Sequence, residues 1–144
     1  MGTPALRLSK SNTFLTANWY QNAVLWAYQT GVASGMSETT FAPDDPVTRE
    51  QVTVFLAEFA DRVLDKYTPY MWDALFPFQD RESISYYART AMNWACNLGL
   101  IKGIPGPGGL RLEPQSYATR EQMAVILAQF CRELNVWNEP IPEL

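Results

Sequence analysis

The chain says nearly the same thing twice, and that constrains its fold more than any other feature. Trp19-Tyr20-Gln21-Asn22-Ala23-Val24-Leu25-Trp26-Ala27, closing at Gly31 and Gly35, recurs as Tyr87-Ala88-Arg89-Thr90-Ala91-Met92-Asn93-Trp94-Ala95, closing at Gly99 and Gly103. Val47-Thr48-Arg49-Glu50-Gln51 then recurs as Ala118-Thr119-Arg120-Glu121-Gln122. The first block repeats 68 positions later (Trp19 to Tyr87) and the second 71 (Thr48 to Thr119), so the second copy carries three extra residues in its intervening loop. A duplicated unit of this size is the mark of a repeat array, and arrays usually bind.

Composition narrows the function classes. At 144 residues and 47% hydrophobic the chain can bury a proper core without staples. No stretch approaches the roughly 20 apolar residues of a bilayer span, so membrane insertion is not expected. Met1-Gly2-Thr3-Pro4 lacks the basic flank and apolar run of a secretion signal; either the protein is cytosolic or its leader lies outside this sequence. A net charge of -4, with no run of Lys or Arg, argues against nucleic acid as a partner. Histidine is absent, which removes the usual metal ligand and the usual general base, so any active site would have to run on carboxylates; a carboxylate-only carbohydrate-processing enzyme would need two acids facing each other in a cleft, and the expectation is no enzyme, no metal and no cofactor. Cys96 and Cys131 fall at helical positions, where two free core thiols are favoured over a disulfide.

Each copy reads as helix, loop, helix. Trp19, Ala23, Trp26, Ala27 and Thr30 lie on one face at helical spacing, matched by Tyr87, Ala91, Trp94, Ala95 and Leu98, so Trp26 and Trp94 are expected in the core. Gly31 and Gly99 supply left-handed stops. The second helix starts at Thr48 and at Thr119, where Thr-x-x-Gln forms a capping box. Val52, Phe55, Leu56, Phe59 and Val63 then make an apolar stripe, copied by Met123, Ile126, Leu127, Phe130 and Leu134. Such half-wet helices must pack on one another.

The loops 35–46 and 103–114 are too rich in Gly, Pro, Ser and Asp for helix, although Thr39-Thr40-Phe41 and Leu110-Arg111-Leu112 suit a very short strand or bridge. The expected organisation is an N-terminal segment 1–14, a first repeat 15–66, a linker 67–77 wrapping the surface, a second repeat 78–135 and a tail 136–144. The fold class is all-α, built of tandem helix-loop-helix repeats.

Arg49 and Arg120 each follow a helix N-cap, where the macrodipole disfavours a cation by a few tenths of a kcal/mol, roughly. A guanidinium beside free N-terminal amides would make a compact anion site. The alternative is an internal pair with Asp44, Asp45, Glu50 or Glu121. Trp19, Tyr20, Tyr86 and Tyr87 stand at helix starts, where a half-exposed ring could stack on a sugar. The acids Glu38, Asp44 and Asp45 read as a solvated turn rather than a glycosidase pair, and their spacing does not match a calcium loop.

Taken together, the repeated residues resemble the S-layer homology domain. That family shows an aromatic-x-Asp element, an aromatic pair, a helix ending Gly-(Ile/Val)-x-x-Gly, then Thr-Phe-x-Pro and (Ile/Val)-Thr-Arg-(Ala/Glu)-(Glu/Gln). The first copy supplies Trp19-Tyr20, Gly31-Val32-Ala33-Ser34-Gly35, Thr40-Phe41-Ala42-Pro43 and Val47-Thr48-Arg49-Glu50-Gln51. The second supplies Phe78-Gln79-Asp80, Tyr86-Tyr87, Gly99-Leu100-Ile101-Lys102-Gly103, Leu112-Glu113-Pro114 and Thr119-Arg120-Glu121-Gln122. The resemblance covers about three quarters of the chain.

It implies a secreted, non-catalytic module that holds a protein non-covalently to the bacterial cell wall by binding anionic secondary cell-wall polysaccharide, often pyruvylated. Carried over, it implies Arg49 and Arg120 as contacts to the acidic sugar, with Asp80, Trp19, Tyr87, Gly35 and Gly103 as neighbours in the pocket. Three departures stand out. The position equivalent to Asp80 is Lys10 in the first copy, and Arg111-Leu112-Glu113-Pro114 replaces Thr-Phe-x-Pro in the second. The family tends to work as three repeats in a trefoil, so two copies imply an incomplete pseudo-threefold unit, completed by a further repeat or by self-association. The rival expectation is a protein-interaction or assembly module that keeps the scaffold without the glycan site.

Overall fold

The computed structural model describes residues 19–37 and 40–136. The chain forms two compact units, Met1–Pro46 and Val47–Leu144. Four α-helices and one small two-stranded sheet make up its regular structure among the described residues. The all-α expectation therefore holds for the helices and is amended by a hairpin. Lys10 and Glu38 lie outside the described residues.

The first unit holds α1 (Gln21–Thr30), ended by Gly31 at φ 79° as its spacing predicts. Among its described residues Val24 and Ala33 are buried, whereas Trp26 remains 45% exposed. That corrects the expectation of a fully packed Trp26. In the second unit the matching Trp94 is 1% exposed, because it is enclosed by side chains from other elements: Tyr67 at 5.4 Å and Phe130 at 6.4 Å between ring centroids.

The second unit contains α2 (Arg49–Arg62), two single 3-10 turns at Arg81–Ser83 and Tyr86–Ala88, α3 (Arg89–Asn97), the antiparallel hairpin β1 (Ile104–Gly106) and β2 (Gly109–Arg111), and α4 (Arg120–Glu133). Helix α2 packs on α3, so the sequence repeat and the compact unit are out of phase. Val52, Leu56, Ile84, Met92, Trp94, Leu112, Ile126 and Phe130 form the core. The 67–77 linker does more than wrap the surface, since Leu75 is 2% exposed within that core. Lys66 Nζ donates to the Leu134 carbonyl at 2.6 Å, joining the ends of α2 and α4.

The duplication reaches the backbone. Eight residues with positive φ come in matched pairs, Gly31 and Gly99 (φ 79° and 71°), Gly35 and Gly103 (both 81°), Ala42 and Glu113 (51° and 49°), Asp65 and Asn135 (52° and 47°), while Gly109 of the hairpin (131°) has no counterpart among the described residues. Both predicted capping boxes form. Gln51 N donates to Thr48 Oγ1 at 3.3 Å and Thr48 N to Gln51 Oε1 at 2.9 Å. Thr119 and Gln122 repeat the exchange at 3.2 and 3.1 Å.

Candidate functional site

Arg49 is the buried cation of the second unit. It occupies the first turn of α2 and is 5% exposed, and its Nε donates to the Leu112 carbonyl at 2.8 Å. Burial lowers its pKa, while the negative fields of Glu113 and Asp80 oppose that shift. Among the described residues no carboxylate lies within ion-pair distance of its guanidinium. Within this unit the alternative pairing of Arg49 with Glu50 or Glu121 is not seen among the described residues.

What holds the Leu112 carbonyl in place is Asp80. Its Oδ1 accepts from Leu112 N and its Oδ2 from Glu113 N, both at 2.8 Å, which fixes the left-handed turn at Glu113. Asp80 is thus a clamp on the segment that grips Arg49, one step behind the guanidinium. Glu50, the neighbour of Arg49, is also buried, at 3% exposure. Its carboxylate accepts from Ser85 N (3.0 Å), Ser85 Oγ (2.6 Å), Tyr87 Oη (3.2 Å) and Gln115 Nε2 (3.2 Å). Burial, followed by the negative field of Glu50, raises the Tyr87 pKa, though the ring remains 59% exposed.

Beside Arg49 opens a hollow of about 350 Å³, at the small end of the range for ligand clefts. Its walls are the 99–104 segment, including Lys102, Gly103 and Ile104, and one side of α4, with Glu121, Gln122, Val125, Ile126 and Gln129. Gly103 is required there: its φ is 81°, and an added Cβ would lie 2.5 Å from Phe78 Cε1.

One expectation is corrected. The N-terminal amides of α2 are not free for an anion, because Arg49 N donates to the Ser116 carbonyl (2.9 Å), Glu50 N to the Pro114 carbonyl (3.0 Å) and Gln51 N to Thr48 Oγ1 (3.3 Å). The 114–118 segment crosses the helix start as a short bridge, Thr48 opposite Tyr117, and takes up the donors.

Of the residues singled out from sequence, Arg49 and Gly103 line the hollow, with Asp80 behind it and Tyr87 on Glu50. Arg120 is exposed and is not part of its lining. Trp19 and Gly35 belong to the first unit, where the Trp19 ring is 94% exposed and meets Tyr20 edge-on at 5.5 Å. Sequence reasoning missed Lys102, Gln122 and Gln129 as lining residues. The seven-residue spacing of the two glutamines, which puts them on one face of α4, was the available signal. Among the described residues no helix is long and apolar enough to cross a membrane.

A sequence profile of the S-layer homology domain matches residues 16–53 and 77–124, more than half of the chain. The chain belongs to the S-layer homology domain family. It is 32% identical to the amylopullulanase of Thermoanaerobacterium thermosulfurigenes, over 78% of this chain and 6% of that protein. It is 32% identical to the exoglucanase XynX of Acetivibrio thermocellus, over 76% of this chain and 10% of that one. It is 28% identical to the surface-layer 125 kDa protein of Lysinibacillus sphaericus, over 77% of this chain and 9% of that one. The chain thus spans a tenth or less of the length of these relatives. No solved structure matches it significantly. Domains of this family occur in cell-surface proteins, where they generally serve in cell-wall anchoring.

Proposed function

We propose that this chain attaches its parent protein to the bacterial cell wall by binding an anionic secondary wall polysaccharide, with a carboxylate-bearing sugar seated in the hollow beside Arg49. The observation that carries this reading is a buried guanidinium that lines an open hollow and is in ion-pair contact with no carboxylate among the described residues, Glu121 of the same lining included. Nε is held by Leu112, which leaves the two Nη groups to meet a carboxylate. Lys102 adds a second positive charge to the lining, while Ile104, Val125 and Ile126 offer an apolar wall to a sugar face or a ketal methyl. An acidic protein has no long-range field to draw in a negative polymer, so recognition is local.

Arg120 stands at the same step of an equivalent cap, and we assign it the same role in a groove completed by a further repeat or another chain. Trp19 and Tyr87 present exposed ring faces suited to stacking on sugar. Repeated sites on a repeating polymer gain from effective concentration, so each one needs only modest affinity.

The test is co-sedimentation with purified wall sacculi, before and after removal of the secondary polymer. Wild type is expected to sediment only with intact sacculi, and Arg49→Ala to lose about tenfold or more in affinity. A second reading, an assembly module without glycan binding, draws on the exposed Met71, Trp72 and Phe76. It is favoured if wild type ignores the polymer and self-associates.

A further inference from the structure

Gln122 differs from the other polar groups of the hollow in how its amide is held. The capping box fixes one end, because Thr119 N is a donor and must face the side-chain oxygen, and Oε1 accepts from it at 3.1 Å. That assignment leaves Nε2, a two-proton donor with no hydrogen-bond partner among the described residues, on a half-buried side chain that lines the hollow. Gln129, one heptad on, has no such freedom. Its Nε2 donates to Glu133 Oε1 at 2.8 Å, and its Oε1 accepts from Arg132 at 3.3 Å. Gln51 makes the same box at α2, yet it does not line the hollow.

We propose that Gln122 is a specificity-determining residue: its cap-oriented Nε2 donates to an acceptor oxygen of the sugar whose carboxylate Arg49 holds. The inference rests on the reading of the hollow as an anionic-glycan site and deepens it. A rotamer already fixed by the helix cap loses little freedom on binding, so the donor is preorganised. Two donors on separate elements, Arg49 on α2 and Gln122 on α4, select the spacing between carboxylate and acceptor oxygen as well as charge.

The duplicated cap supplies its own control. Glu serves the capping box as well as Gln and suits a helix N-terminus, so Gln122→Glu and Gln51→Glu should both melt at or above the wild-type temperature. Binding to purified secondary wall polymer is then measured by calorimetry. Gln122→Glu, which turns the donor into a charge facing an anion, is expected to weaken binding about tenfold or more, and Gln51→Glu by less than about twofold. Gln122→Met, neutral and without a donor, is expected to lose about fivefold. Wild-type affinity in Gln122→Met overturns the donor role even if Gln122→Glu is impaired, because repulsion alone then explains the latter. A wild type that binds, an Arg49→Ala that does not and a Gln122→Met that binds normally overturn this inference alone. A wild type that does not bind overturns the glycan reading with it.

Discussion

Arg49 Nε donates to the carbonyl of Leu112, 63 residues further along the chain, and this bond ties the start of α2 to the loop after β2. The bond orients the guanidinium: with Nε turned inward, the remaining donors are available to the hollow. Everything that positions Leu112 therefore acts on the site at one remove.

Asp80 is the first such residue. Asp80→Ala removes the acceptor of two backbone donors in a partly buried position, and hydrogen bonds to a charged group contribute about 1.5–3 kcal/mol. The variant is expected to lose about 3 kcal/mol in a urea titration and to bind wall polymer more weakly. Asp80→Asn, which keeps one acceptor oxygen, should recover part of both losses. A full loss of binding with unchanged stability would instead make Asp80 a direct ligand contact.

Gly99 and Gly103 separate backbone strain from steric conflict. Both have positive φ, but a Cβ at Gly99 meets nothing within 4 Å, whereas at Gly103 it lies 2.5 Å from Phe78 Cε1 and 3.3 Å from the Arg111 carbonyl. Gly99→Ala should cost about 1–2 kcal/mol from strain alone. Gly103→Ala should cost about 1–3 kcal/mol more, and thermal denaturation of the two variants measures the difference.

Glu50 gathers four donors onto one buried carboxylate. Gln in its place sets an amide NH2 against a ring of donors, so Glu50→Gln is expected to destabilise by about 2–4 kcal/mol. Tyr87→Phe removes only one edge of that network, a 3.2 Å bond from a half-exposed ring, and should cost about 1 kcal/mol or less. Chemical denaturation of both variants tests the order.

Burial pushes the Cys96 thiol up from 9.0 to about 12, against the pull of Arg49. A raised pKa means the folded state favours the protonated thiol. Its contribution is therefore fully present below pH 9 and declines as pH rises from there toward 12. In a Cys131→Ser background, alkylation of Cys96 at pH 8 should run about a thousandfold slower in the folded protein than in urea, in line with the thiolate fraction. Equal rates would mean the thiol is not desolvated.

Local chemistry was legible in the sequence and long-range pairing was not. Thr48 with Gln51, and Thr119 with Gln122, declare their helix starts because a capping box closes within four residues. Arg49 was visible as an oddly placed cation. Its Leu112 partner was not, since no periodicity links residues 63 apart. The capture of α2's amides by Pro114 and Ser116 was hidden for the same reason, as the bridge at Tyr117 has no strand pattern. The different fates of Trp26 and Trp94, alike in register, depend on what surrounds each helix. That is a property of tertiary neighbours such as Tyr67 and Phe130, which local spacing cannot carry.

The most direct measurement compares affinity for native wall polymer with affinity for the same polymer after its carboxylates are converted to amides, in wild type and in Arg49→Ala. The account predicts that amidation weakens wild-type binding about tenfold or more and leaves the Arg49→Ala affinity nearly unchanged, because the lost charge and the lost guanidinium are partners. An equal loss in both proteins would contradict it, placing the carboxylate somewhere other than the hollow beside Arg49.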